Sequence, residues 1–174
     1  MDNIELHGLV RAIDLLGRPP ETVVEIGSYC GGSTVVIARA ARRRNPAVRV
    51  YAIEPFTFHE SRYQHDYERL FDANVADWGL GDAIVKVRAT SPEAVGDWKR
   101  PIDFLYVDGD HRYEAVAQDI DDFLPFLAPE GLVAFHDYKP RGKEGVRRAI
   151  DERVAPRYER VFLAGSLICF GKAR

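Results

Sequence analysis

The sequence predicts an α/β fold, a doubly wound and mostly parallel seven-stranded sheet with an antiparallel last strand. Three observations carry this reading. Short β-branched runs alternate with helical stretches along the chain, the pattern of right-handed βαβ units. The first five runs are nearly continuous apolar segments, as expected of strands buried on both faces of a parallel sheet. The last two are separated only by Gly165-Ser166, a link that suits a hairpin rather than a crossover.

The elements follow in order. Ile4 to Leu16 places Leu6, Leu9, Val10, Ile13 and Leu16 on one helical stripe, and Gly17 with Pro19-Pro20 ends it. Strands are expected at 22–26 (TVVEI), 48–53 (VRVYAI), 83–88 (AIVKVR), 102–108 (IDFLYVD), 131–137 (GLVAFHD), 160–164 (RVFLA) and 167–171 (LICFG). Helical stretches lie between them at Ser33 to Arg44, parts of Phe58 to Trp78, Pro92 to Trp98, and Tyr113 to Leu127. In the last of these Val116, Ile120, Phe123, Leu124 and Leu127 face inward, and Pro125 must kink or end the helix. No repeat, low-complexity segment or linker interrupts the pattern. Residues 1–174 therefore read as a single domain, with 1–20 as the N-terminal helix and lead-in.

Composition narrows the function. A chain of 174 residues, 46% hydrophobic and 29% charged, has an ordinary globular balance and enough length to bury a core. Its net charge of −3 argues against nucleic acid or an anionic membrane as partner, since both favour a basic surface. The two cysteines, Cys30 and Cys169, do not make a disulfide framework. The first twenty residues carry acids among their apolar positions and no signal-peptide core. No apolar run approaches membrane-spanning length. A cytoplasmic protein is the expectation.

The stretch VVEIGSYCGGST, Val23 to Thr34, places Gly27, Gly31 and Gly32 where the first strand hands over to a helix. Glycine is favoured where backbone turns tightly or approaches a ligand closely, and in open α/β sheets ligands bind outside the carboxyl ends of the strands. The spacing is E-x-G-x-x-x-G-G rather than the G-x-G-x-x-G of a dinucleotide site. Glu54 ends the second strand about 20 residues further on, a distance at which an acid accepts hydrogen bonds from ribose hydroxyls. Together they suggest a ribose-bearing ligand. The run Arg42-Arg43-Arg44 lies at a helix C-terminus, where it complements the helix dipole.

Four segments, VVEIGSYCGGST, YAIEPF, IDFLYVDGDHRYEAVAQDI and GLVAFHDY, occur in that order. This combination resembles the class I S-adenosylmethionine-dependent methyltransferases, specifically the small O-methyltransferases related to catechol and antibiotic-sugar enzymes. The resemblance runs roughly from Thr22 to Phe170. It implies a Rossmann-like sheet, S-adenosylmethionine as cofactor, and methyl transfer to a hydroxyl of a small-molecule or sugar-containing acceptor. It also implies that Glu25, Gly27 and Ser28 line the methionine end, that Gly31 belongs to the cofactor site, and that Glu54 holds the ribose. Thr90 and Ser91 fall where adenine is contacted, and Asp108 borders the cofactor.

VDGDH ends the fourth strand and FHDY the fifth, so Asp108, Asp110, His111, His136 and Asp137 converge at one sheet edge. Carboxylates gathered there suit a hard divalent cation such as Mg²⁺. In the catechol-type enzymes the ligands are an Asp after strand four and an Asp-Asn pair after strand five. Asp108 and Asp137 match the two aspartates, while Tyr138 stands at the Asn position. The third ligand is then expected from His136 or Asp110. His111 falls where those enzymes carry a catalytic lysine, and an imidazole can take a hydroxyl proton near neutrality. His111 with Asp108 is the catalytic expectation, and Asp108, Asp137 and His136 are the metal expectation.

Pro55 to Phe71 alternates aromatic and polar residues on the ligand side. It reads as part of a lid, with His59 or His65 facing the acceptor and Tyr63, Tyr67, Leu70 and Phe71 packing inward. The short N-terminal part leaves little material for a closed pocket, so a homo-oligomer in which a partner subunit completes it is also expected. Two other readings stay open, a methyltransferase-fold protein that binds without catalysis and a nucleotide-dependent oxidoreductase.

Overall fold

A computed structural model of the chain describes residues 1–57, 66–139, 142 and 144–172. In chain order the first half contains α1 (Asn3–Leu15), β1 (Thr22–Ile26), α2 (Gly32–Arg44), β2 (Arg49–Ile53), α3 (Tyr67–Asp77) and β3 (Ile84–Val87). The second half contains α4 (Ser91–Val95), β4 (Ile102–Val107), α5 (Tyr113–Phe123), β5 (Leu127–Phe135), α6 (Glu144–Arg153), β6 (Tyr158–Ala164) and β7 (Leu167–Lys172).

The strands form one seven-stranded sheet in the order β3-β2-β1-β4-β5-β7-β6. β1 pairs in parallel with β2 on one side and β4 on the other, so strand order reverses there and a crevice opens above their carboxyl ends. β7 runs antiparallel to both β5 and β6, as the Gly165-Ser166 link predicts. This is the class I methyltransferase arrangement of a Rossmann-like sheet.

Helices cover both faces. One core layer joins Leu9 and Ile13 of α1, Ile37 and Ala41 of α2 and Phe71 of α3 to Phe104 and Tyr106 of the sheet. The other joins Val116, Ile120 and Phe123 of α5 and Val146 and Ile150 of α6 to Leu105, Val107 and Phe135. β1 and β4 are buried at every residue, which accounts for their unbroken apolar sequence. Small residues at Ala38, Ala40 and Ala41 are buried on α2, and they let that helix lie close to the strands.

Four features differ from the sequence expectation. α5 stops at Phe123 and continues as a 3₁₀ turn over Leu124–Phe126, because Pro125 lacks the N–H that an α-helical continuation needs. β5 therefore starts at Leu127 rather than at residue 131. α6 has no counterpart in the sequence reading. It is a mostly charged segment whose only buried residues are Val146, Ala149 and Ile150, too few to stand out as an apolar stripe. Leu70, expected to pack inward, is 41% exposed, while its neighbours Tyr67 and Phe71 are buried.

Candidate active site

The loop after β1 is built by backbone packing as much as by turn chemistry. Gly27 has φ 86°, and a Cβ there would lie 2.2 Å from the Asp108 carbonyl oxygen. The turn after β1 is thus in van der Waals contact with the turn after β4, and the Asp108 N–H donates to the Ile26 carbonyl at 2.9 Å. Gly31, in the left-handed conformation at the N-cap of α2, would place a Cβ 2.9 Å from the Phe71 ring. Of the three loop glycines, only Gly32 has open space at its Cβ position among the described residues. Two of the three therefore answer first to neighbouring protein atoms.

Glu54 ties the loops together. Its Oε2 accepts the Tyr29 N–H at 3.0 Å, and its Oε1 accepts the Phe56 N–H at 3.3 Å. Tyr29 and Phe56 both have positive φ, and among the described residues the third non-glycine residue that does is Asp137. These three follow β1, β2 and β5 at the carboxyl edge. Such backbone costs of order 1–3 kcal/mol per residue and clusters where a site is shaped.

Glu25 lies beneath the loop with no exposed surface. The Thr34 hydroxyl donates to its Oε2, while Oε1 is buried with no hydrogen-bond partner among the described residues. Burial pushes the carboxyl up to about 7, against the pull of the Ser33 and Thr34 hydroxyls. Ser28 is also buried, and the N-terminus of α2 carries no side-chain cap.

On the adenine side of the expected site, Thr90 caps α4, and Glu93 accepts both its N–H at 2.8 Å and its hydroxyl at 2.7 Å. The Ser91 hydroxyl donates to Asp119, which is 4% exposed. Burial raises the Asp119 carboxyl to about 6, although Ser91 pulls it down. A cavity of about 230 Å³ lies on the α4 side of β2 and β3, lined by Tyr51, Ile53, Val87 and Trp98 among others.

The turns after β4 and β5 bring the acidic cluster together. His111 Nε2 lies 2.9 Å from Asp137 Oδ2 and 4.0 Å from Asp108 Oδ1. Ligand atoms of Asp108, His111 and Asp137 all fall within 4.8 Å of one another. His136 touches both aspartates of that trio from the side of the N-terminal helix. Its Nδ1 reaches Asp108 Oδ1 at 3.1 Å and Asp137 Oδ2 at 3.2 Å, and its Nε2 reaches Glu5 Oε2 at 3.1 Å. Burial alone would lower His136, but Asp108, Glu5 and Asp137 raise it to about 9, so it is an imidazolium at neutral pH. Asp110 turns outward to Arg112, whose N–H and guanidinium hold its carboxyl below the usual range.

Two participants escape the sequence reading. Tyr106 donates its hydroxyl to Asp108 Oδ2 at 3.0 Å; the signal was available, since residues two apart on a strand share a face. Glu5 comes from the other end of the chain, and only its capping-box spacing from Asp2 was local. Residues 58–65 of the expected lid, including His59, Tyr63 and His65, lie outside the described residues.

Sheet order, crevice and carboxyl-edge cluster together define a class I methyltransferase fold. The chain belongs to a methyltransferase domain family, whose model matches residues 24–138. Uncharacterized protein y4gI of Sinorhizobium fredii (strain NBRC 101917 / NGR234) is 29% identical over 126 residues, 70% of this chain and 14% of that protein. Uncharacterized protein R132 of Acanthamoeba polyphaga mimivirus is 25% identical over 170 residues, 88% of this chain and 68% of that protein. The chain thus spans a small part of the first relative and about two thirds of the second. Among solved structures, the O-methyltransferase NovP aligns with a TM-score of 0.78 at 18% identity, over 98% of this chain and 80% of that one. The O-methyltransferase TomG from Streptomyces achromogenes, in complex with SAM, aligns with a TM-score of 0.73 at 17% identity, over 99% and 82%. At these identities the likeness is one of fold. No described helix is long and apolar enough to cross a membrane.

Proposed function

We propose that this domain transfers a methyl group from S-adenosylmethionine to a hydroxyl of a small-molecule acceptor, with His111 as the general base. The observation that carries the reading is the His111–Asp137 pair, 2.9 Å apart, in the turns after β4 and β5 on one side of the glycine loop. An imidazole steered by a carboxylate is suited to taking a hydroxyl proton.

The residues fit the cofactor. Gly32 leaves open space, and the uncapped N–H groups of α2 suit a carboxylate. The buried, half-partnered Glu25 favours a cation nearby. Glu54 keeps lone pairs for ribose hydroxyls beyond its two backbone donors. S-adenosylmethionine, when bound, supplies an electrophilic methyl on a sulfonium leaving group. The protein's part is then to orient the acceptor oxygen and accept its proton, and orientation alone is worth several kcal/mol of a barrier. His111 takes that proton, Asp137 holds the ring, and Asp108, fixed by Tyr106 and His136, shapes the floor beside it.

Mg²⁺ fits these residues poorly. The oxygens that would ligate it, Asp108 Oδ1 and Asp137 Oδ2, are already shared by His136 Nδ1. A cation there would displace that donor, and the third group of the trio, His111, offers a nitrogen, which Mg²⁺ accepts reluctantly. No step is assigned to a metal.

Calorimetry with S-adenosylhomocysteine tests the cofactor assignment. Glu54→Ala should weaken binding by ~1.5–3 kcal/mol, the range for hydrogen bonds to a charged group, and unchanged affinity would remove Glu54 from the ribose. Binding of a nicotinamide dinucleotide in place of S-adenosylhomocysteine would overturn the whole reading. In methyl transfer to a panel of hydroxylated acceptors, His111→Ala should lower kcat by ~10²–10⁴-fold with cofactor affinity preserved. A near-normal kcat would exclude His111 as the base.

A further inference from the structure

We propose that Glu5, in the first turn of the N-terminal helix, is a positioning residue for the candidate active site, acting through His136 to hold Asp108 and Asp137 together. The proposal deepens the methyl-transfer reading, on which its consequence for catalysis rests.

The geometry comes from three distant parts of the chain. Glu5 is 6% exposed, and its carboxylate is saturated with donors. Oε2 accepts the Asp2 N–H at 2.8 Å and faces His136 Nε2 at 3.1 Å. Oε1 accepts the Ser166 N–H at 2.9 Å and the Ser166 hydroxyl as well. Gly165, in the turn between β6 and β7, makes room for it: a Cβ at that position would meet Glu5 Cγ at 2.8 Å. The carboxylate is thus clamped between the start of α1 and the hairpin, and it presents one oxygen to the ring.

That oxygen settles what the ring can do. With Nε2 held by Glu5, Nδ1 is directed between Asp108 Oδ1 and Asp137 Oδ2, at 3.1 and 3.2 Å. One ring nitrogen therefore cross-links the last residues of the fourth and fifth strand motifs, the same two aspartates that border His111. Two carboxylates so close repel each other unless a shared donor lies between them. His136 is that donor, and Glu5 is what fixes its angle. Without Glu5 the ring is released about its side-chain torsions, Asp137 is no longer tethered to Asp108, and the orientation of His111 by Asp137 relaxes. A displacement of about 1 Å at a reacting group can cost on the order of 10²-fold in rate.

The alternative is that Glu5 only anchors α1 to the hairpin, and the test separates the two. The readout is the pair of His136 ring nitrogens in ¹H–¹⁵N spectra of the full chain, assigned by loss of the signals in His136→Gln. In the wild type both ring N–H protons should be protected and shifted downfield. Glu5→Ala should change the shifts and abolish that protection, because the partner of Nε2 is gone, whereas Glu5→Gln keeps a neutral acceptor and should shift the signals while retaining part of the protection. Ser166→Ala weakens the anchor yet keeps Glu5 beside His136, so it should leave the ring signals unchanged whatever it does to the melting temperature. Ring signals that are the same in Glu5→Ala and wild type, with only the melting temperature lowered, would overturn the proposal. So would a wild-type His136 with a rapidly exchanging Nε2 proton, a measurement that needs no variant to fold. Neither readout depends on cofactor or turnover, so S-adenosylhomocysteine failing to bind would sink the methyl-transfer reading without touching this one.

Discussion

Glu25 shows how a single residue sets a pH dependence. It occupies a fully buried position on the central strand, and burial carries its carboxyl from 4.5 to about 7. Between those two values the native state holds a proton that the unfolded chain has released. Stability therefore falls as pH rises through that window and levels off above about 7. At about 1.4 kcal/mol per unit the whole effect is roughly 3 kcal/mol. Glu25→Gln keeps an acceptor for Thr34 and removes the ionisation. Urea melts of the ligand-free chain should show the variant gaining on the wild type by about 2–3 kcal/mol from pH 5 to pH 8. A gap that stays constant over that range would mean that ionised Glu25 is not the cost. Local residue readings of this kind were partly legible in the sequence. Glu54 stood at a strand end, and it does gather the loop there. The reason for Gly27 was not legible, because the atom that excludes a side chain belongs to Asp108, in the turn after a strand that pairs with β1 only in the folded sheet.

At the scale of elements, α6 explains why the two motif turns sit where they do. The Tyr113 hydroxyl donates to Glu152 at 2.6 Å and the Tyr138 hydroxyl to Asp151 at 2.8 Å. Arg148 and Arg147, one turn earlier, lie over the same two rings at 4.4 and 5.5 Å. Tyr138, an odd residue for a metal site, thus has a place as a tether to α6. These contacts are exposed and each is worth little. The tighter link is Gly145, where a Cβ would fall 2.7 Å from the Tyr113 nitrogen and 3.0 Å from the His111 carbonyl oxygen. Alanine ordinarily gains about 1 kcal/mol over glycine inside a helix. Gly145→Ala should instead lose ~1–3 kcal/mol, the cost of overpacking against backbone, and should shift the amide resonances of residues 111–113. A variant as stable as the wild type, with those resonances unmoved, would show that α6 does not press on the His111 turn. The sequence could not announce α6, since its anchoring depends on partners in two other segments rather than on its own periodicity.

For the whole molecule, the sheet was readable because its central strands are buried on both faces and carry unbroken apolar runs, so β1, β2 and β4 emerge at nearly their observed limits. The site was readable only as separate segments. That His136 meets both aspartates through one ring nitrogen and Glu5 through the other depends on the path of a helix whose Glu5 is 131 residues away from His136. A site assembled from the ends of β1, β2, β4 and β5 has a consequence for the stability of the whole domain. A ligand that bridges the glycine loop and Glu54 binds only when those ends are in register, so it binds the native state and not the unfolded chain. Native-state binding adds about 2.7 kcal/mol at a ligand concentration 100 times Kd. In a domain of this size each kcal/mol moves Tm by roughly 2–4 °C. S-adenosylhomocysteine at that concentration should therefore raise Tm by roughly 5–10 °C, with a rise that grows logarithmically with ligand. Glu54→Ala should need roughly 10- to 100-fold more ligand for the same shift, given the loss expected from its hydrogen bonds. Nicotinamide dinucleotides, whose pyrophosphate wants the G-x-G-x-x-G turn that this loop lacks, should leave Tm unmoved. A shift with the dinucleotide and none with S-adenosylhomocysteine would place this sheet among the oxidoreductases instead.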